Sequence, residues 1–145
     1  MAALSFSDSM QVTLLKSKIH RAAVTGASLH YEGSLTVSED IAKMVGLLPY
    51  EKILVGNLRN GERFETYVIY GQAGKGLIEL NGATAHLGAI GDRLTIMSFG
   101  QFTREEAKTH HPRVVVLDAQ NEVVRCEEAK TKPNRTQRDL AMAGE

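Results

Sequence analysis

The chain has 145 residues, and 17 Lys plus Arg balance 17 Asp plus Glu, so its formal net charge is 0. That length suits one domain, burying roughly 70% of the surface its unfolded form exposes, and the balance argues against a basic nucleic-acid binder and an acidic disordered chain. No apolar run is long enough for a membrane-spanning helix, and the single cysteine, Cys126, cannot form an internal disulfide.

Residues 1–9 are small and polar and read as a disordered leader, with Met10 a plausible natural start. They lack the basic and apolar regions of a signal peptide, so a cytoplasmic location with no membrane contact is expected. Alternation from Gln11 through Arg21 predicts a strand, followed by a loop at Ala27–His30 and a short strand at Leu35–Val37. Ser38 can cap a helix whose apolar face is Ile41, Met44, Val45 and Leu48, ended by Gly46 and Pro49. Lys52 to Leu58 predicts a strand, Asn60-Gly61 a type I′ hairpin turn, and Arg63 to Tyr70 the return strand. Leu77 to Leu80 and Arg93 to Phe99 predict further strands, separated by the small-residue run Ala83-Thr84-Ala85. Thr103 and Glu106 form a capping box for a short helix that stops before Pro112. Arg113 to Leu117 is a last β-branched strand, with Gln120 to Val124 a weaker continuation. The charged segment 126–145 reads as a mobile tail, leaving a single domain over 10–125. Short strands with two small helices suggest a mainly-β barrel.

Most site motifs are absent. Residues 71–76 fit neither a dinucleotide fingerprint nor a P-loop, and no metal-ligand spacing is present. The adjacent His110 and His111 point apart, and a charge effect at a helix C-terminus suits them better than metal binding. His86 reads as structural and Cys126 as an inert tail residue. One pair supports a specific chemistry. Gly33 precedes Ser34 at a loop-to-strand junction, where a serine hydroxyl can attack the preceding, unhindered carbonyl and shift the acyl group from nitrogen to oxygen.

With Lys18-Ile19-His20-Arg21, Tyr31-Glu32-Gly33-Ser34, Asn60 through Tyr67 and Asn81 through His86, the sequence resembles the pyruvoyl-dependent L-aspartate 1-decarboxylase proenzymes. The resemblance runs from Met10 to Val124. It implies a double-ψ β-barrel with two or three short helices, working as a homotetramer with active sites between subunits. It also implies self-cleavage between Gly33 and Ser34 into a β chain (1–33) and an α chain (34–145), with Ser34 becoming a covalent pyruvoyl cofactor and no metal. That group would hold L-aspartate as a Schiff base during decarboxylation to β-alanine and CO2, a step toward pantothenate and coenzyme A.

By the same resemblance, Thr66 holds the Gly33 carbonyl oxygen, Tyr31 positions the cut, and Tyr67 donates a proton after decarboxylation. Arg63 binds a substrate carboxylate, Lys18 and His20 supply positive potential, and Asn81, Gly82 and Ala83 contact substrate and the new chain end. A regular strand puts Arg63 and Tyr67 on one face and Thr66 on the other, so a bulge, a strong twist or a site shared between subunits is required. Gly56 stands where some relatives carry a bulky aromatic residue. A maturation helper protein is a further possible partner. The alternative reading is an unprocessed barrel serving as an assembly or binding module.

Overall fold

A computed structural model describes residues 9–127; the expected leader (apart from Ser9) and the tail beyond Glu127 lie outside the described residues. Nine strands are joined in one sheet: β1 (Gln11–Ala23), β2 (Gly26–Ser28), β3 (Ser34–Ser38), β4 (Lys52–Asn57), β5 (Arg63–Gly71), β6 (Ile78–Asn81), β7 (Arg93–Thr103), β8 (Arg113–Leu117) and β9 (Val123–Glu127). Two short helices, α1 (Glu39–Met44) and α2 (Arg104–Ala107), and a 3-10 turn at Gly82–His86 complete it.

The spatial order is β2-β6-β3-β5-β4-β7-β1-β8-β9. Successive segments β1 and β2 therefore pair in different parts of the sheet, and the run Gln11–Ser28 spans both. Two backbone bonds carry the crossing, Val24 N–H to the Asp92 carbonyl at 2.9 Å and Thr25 N–H to the Ile78 carbonyl at 2.7 Å. Parallel pairs β1–β8, β2–β6 and β3–β5 interleave with antiparallel ones, giving the double-ψ β-barrel expected from the resemblance. Alternation fills the interior. On β4, Ile53 and Val55 point inward while Lys52 and Leu54 point outward, and on β7 Leu94 and Ile96 are fully buried. Strand β3 is buried along its whole length because β5 and β6 flank it.

Several local expectations change. Residues 26–28, read as a turn and loop, form β2, because β6 offers an unpaired edge to their backbone. Ser38 does not cap α1. Its hydroxyl accepts from Leu77 N–H at 2.7 Å and donates to the Gln72 carbonyl at 3.1 Å, joining β3 to the 72–77 loop. Ile41 and Val45 are buried, but Met44 and Leu48 are exposed, since the helix stops at Met44. The Asn60-Gly61 turn is not type I′. Only Gly61 of the pair has positive φ, and Gly61 N–H bonds back to the Asn57 carbonyl within a loop closed by Asn57 N–H to Glu62 carbonyl. The capping box at Thr103 and Glu106 forms as expected. His110 instead serves tertiary packing: its Nε2 lies 2.6 Å from the Leu15 carbonyl and its ring sits on Phe102. Strand β9 runs to Glu127, so Cys126, expected in the tail, pairs with Val115 in the sheet.

One buried carboxylate ties the loops at this end of the barrel. Asp92 accepts from Arg59 Nε, from Asn57 Nδ2 at 2.9 Å and from Ala89 N–H at 2.9 Å. The Arg59 bond, helped by Asn57 and Ala89 against the opposing effect of burial, holds its pKa at about 2, below the ordinary 3.8. A carboxylate lowered in this way stabilises the fold above its unfolded pKa, and the contribution fades as pH falls toward 2. Asp92→Ala is expected to cost about 3 kcal/mol at pH 7, the scale of a lost charged hydrogen-bond set. In denaturant titrations the gap to the parent chain should narrow as pH drops from 4 to about 2.

Candidate active site

The junction between an exposed loop and the buried strand β3 places Gly33 outside and Ser34 inside, the latter only 1% exposed. Antiparallel pairing sets Ser34 opposite Asn81. The Asn81 side-chain amide donates one N–H to Ser34 Oγ at 3.0 Å and the other to Thr36 Oγ1 at 2.9 Å. With a lone pair of Ser34 Oγ taken by Asn81, its proton is directed to the Glu32 carbonyl at 3.4 Å. The hydroxyl is thus held between the Asn81 amide and the Glu32 carbonyl, at the loop-to-strand junction.

Gly82 follows directly and adopts φ +68°, where a side chain is strained. A Cβ there would stand 2.7 Å from the Tyr31 carbonyl oxygen and 2.9 Å from Gly33 Cα. Only glycine lets the Asn81–Gly82 backbone lie against the Tyr31–Gly33 segment. Around Gly33, by contrast, a Cβ would meet nothing within 4 Å. The Tyr31 side chain is exposed, as is Ala83. Thr84 is buried, and its hydroxyl reaches the Ser34 carbonyl at 3.3 Å and the Asn81 carbonyl at 2.8 Å. Sequence reasoning missed Thr84 and Thr36. The available signal for Thr84 was a hydroxyl three residues beyond Asn81, in a turn otherwise built of glycine and alanine.

The parallel ladder of β3 and β5 starts at Leu35–Val68, which puts Gly33-Ser34 level with Thr66-Tyr67. The β4–β5 ladder runs without a register shift from Arg63 to Tyr67. A bulge therefore does not turn Thr66 toward the face of Arg63 and Tyr67, and among the described residues no hydrogen bond joins Thr66 to Gly33. Thr66 shares the inward side with Phe64 and Val68. Arg63 and Tyr67 lie on the outer face, where the Tyr67 ring is 6.4 Å from that of Tyr50.

On this outer face Arg63 pairs with Gly56, and Gly56 with Thr95. The Arg63 guanidinium lies across Gly56, 3.7 Å from where a Cβ would be. Thr95 Oγ1 is 3.2 Å from His20 Nδ1, and Lys18 lies two residues along the same strand. Burial, then Lys18, Arg21, Arg125 and Arg93, push the His20 pKa below its usual 6.5. Lys18 and Arg63 thus give this face a positive charge suited to a carboxylate, with His20, held toward its neutral form, beside Lys18 on the same strand. The structure builds two clusters: Tyr31, Gly33, Ser34, Asn81, Gly82 and Thr84 around the buried hydroxyl, and Lys18, His20 and Arg63 on the outer face. A cavity of about 360 Å³ on that face, lined by Thr13, Lys52, Leu54, Glu65, Phe99 and Gln101, does not include Ser34.

A sequence profile of the family described as Aspartate decarboxylase matches residues 10–124. The Aspartate 1-decarboxylase of Syntrophobacter fumaroxidans is 54% identical over 112 residues, covering 77% of this chain and 90% of that protein. That of Thioalkalivibrio sulfidiphilus is 51% identical over 116 residues, covering 80% and 92%. That of Trichormus variabilis is 51% identical over 112 residues, covering 77% and 88%.

The charge on this face makes a direct prediction. Titrated by NMR, His20 should be neutral at pH 7 with a pKa below 6.5, and Lys18→Ala should raise it. An unchanged value in that variant would show that Lys18 does not act on His20.

Proposed function

The chain belongs to the aspartate decarboxylase family, and from that premise we propose that it matures by self-cleavage at Gly33–Ser34 and then decarboxylates L-aspartate to β-alanine and CO2. The observation that carries this reading is the fixed Ser34 hydroxyl, clamped by Asn81 beside an exposed, unhindered Gly33. Ser34 Oγ attacks the Gly33 carbonyl and the acyl group moves from nitrogen to oxygen. Elimination from that ester leaves Gly33 as a carboxylate and residue 34 as dehydroalanine, and water converts the latter to a pyruvoyl group with release of ammonia.

The surroundings of Ser34 fit a small planar end group. Gly82 offers no Cβ, Asn81 supplies an amide, and Thr84 supplies a hydroxyl at the carbonyl. A pyruvoyl group supplies a ketone that captures the substrate amine and accepts the electron pair released with CO2, as an electron sink made from the chain itself. The chain's other residues bind and steer. Arg63 pairs in bidentate fashion with a substrate carboxylate, while Lys18 lends positive potential and the neutral His20 offers a hydrogen bond. Tyr67 returns a proton, Tyr31 positions the cut, and Thr66, level with Gly33 on the neighbouring strand, would take up the Gly33 carbonyl oxygen during the attack, although no hydrogen bond joins the two at rest.

The opposite facing of Thr66 and the Arg63–Tyr67 side supports a site completed between subunits of a homotetramer. So does the exposure of Tyr31, Leu48, Tyr50 and Ile90. The reading places the enzyme in the cytoplasm, in pantothenate and coenzyme A biosynthesis, with a helper protein as a possible maturation partner.

Intact mass spectrometry tests the maturation step. The parent chain should give pieces of 33 and 112 residues, the larger bearing a pyruvoyl mass, and Ser34→Ala should stay whole. Normal cutting of that variant would overturn the Ser34 mechanism, and a parent chain that never cuts would return the protein to the alternative of an unprocessed binding or assembly barrel. In the matured enzyme Arg63→Lys should raise KM for aspartate by about tenfold or more, because an ammonium cannot pair in bidentate fashion.

A further inference from the structure

Thr84 contacts a different atom of Ser34 from the one Asn81 holds. Asn81 clamps the hydroxyl, whereas the Thr84 hydroxyl stands 3.3 Å from the Ser34 carbonyl oxygen. The same Thr84 hydroxyl lies 2.8 Å from the Asn81 carbonyl oxygen. A hydroxyl has one proton to donate, so the two carbonyls share it, with the shorter leg to Asn81. Antiparallel pairing of Ser34 with Asn81 and the tight turn at Gly82–His86 fix both legs, and the group is 94% buried.

The Ser34 carbonyl is also the group that makes the Ser34 α-proton acidic. Resting on the self-cleavage reading above, we propose that Thr84 is the hydrogen-bond donor for the elimination step of maturation. In that step Ser34 Cα gives its proton to water, and the C–H electron pair becomes the Cα–Cβ double bond. The Cβ–Oγ bond breaks, and its electron pair leaves on the Gly33 carboxylate. Negative charge spreads onto the Ser34 carbonyl oxygen along the way. A donor already within reach of that oxygen lowers the barrier with only a small reorientation of its O–H. As charge grows there, the shared proton shifts its weight from the Asn81 carbonyl, because hydrogen bonds to ionised acceptors are about twice as strong as neutral ones.

The step can be isolated because it has a trappable reactant. Freshly purified chains are incubated, with and without hydroxylamine, and followed by intact mass. Hydroxylamine splits the ester into residues 1–33 ending in a hydroxamate and residues 34–145 beginning with an unmodified serine, both distinct in mass from the mature pieces. Thr84→Ala should mature about tenfold or more slowly, as expected for loss of one donor, and should accumulate full-length chain that hydroxylamine cleaves. Thr84→Ser, which keeps the hydroxyl, should mature at close to the parent rate. Maturation of Thr84→Ala at the parent rate overturns the proposal. So does a stalled Thr84→Ala chain that resists hydroxylamine, since its block would precede the ester. If the parent chain and Ser34→Ala are equally uncut, the self-cleavage reading falls first and this proposal with it.

Discussion

The antiparallel pairing of Ser34 with Asn81 is the constraint on which the candidate site depends. It holds the first residue of a strand that is buried on both flanks, while the residue before it stays in an exposed loop. The peptide at this boundary is exposed on the Gly33 side and held rigidly on the Ser34 side. The rigid side is supplied twice over. Asn81 uses both amide protons on the Ser34 and Thr36 hydroxyls, and Thr84 uses its own on two backbone carbonyls. Each buried polar atom in the cluster has a partner, which is how a barrel interior tolerates four such residues.

The second constraint is the regularity of β5. An unbroken ladder assigns its residues to alternate faces, so a single copy cannot present Thr66 and Arg63 to the same small ligand. Far from weakening the functional reading, this regularity favours a site assembled from two copies. Inward-facing groups at the Gly33–Ser34 junction of one copy would meet the outer-face cations of another. Gly56 contributes to the outer half by leaving room for the Arg63 guanidinium, which lies 3.7 Å from where a Gly56 Cβ would be. A large side chain at that position would have to share the space with the arginine.

Much of the fold was legible because alternation is a local signal. Strands β4, β5 and β7 follow from it, and the capping box at Thr103 needs only four residues to be recognised. What stayed hidden depends on partners distant in sequence. Strand β2 has three residues and no pattern, and exists because β6 pairs with it. Ser38 has the chemistry of a helix cap, but the Gln72–Leu77 loop competes for its hydroxyl and wins. Asn60-Gly61 signals a two-residue turn, yet the bond between Asn57 and Glu62 closes a longer loop around it. At the site, the missing Cβ of Gly82 lets its backbone lie against the Tyr31–Gly33 segment, a closeness that only the folded chain reveals. Thr84 looked like one more small residue, since nothing in the sequence says that a strand fifty positions earlier delivers a carbonyl to it.

The Asp92 cluster belongs to this hidden class, and it connects the two halves of the candidate site. Asn57, held by Asp92, also donates to the Leu87 carbonyl at 3.1 Å, and Asn60 donates to that carbonyl at the same distance. Leu87 closes the 3-10 turn that carries Thr84, through its own N–H to the Thr84 carbonyl. The loop that these asparagines stabilise leads straight into Arg63. One buried carboxylate therefore sets the position of the turn lying against Ser34 and of the strand start that presents the cation. Packing alone would let two surface loops drift independently, because loops bury little apolar area. A charged acceptor with three donors from both loops restrains that freedom, so the segment that follows the Thr84 turn and the loop that leads into Arg63 are tied together by the same hydrogen bonds.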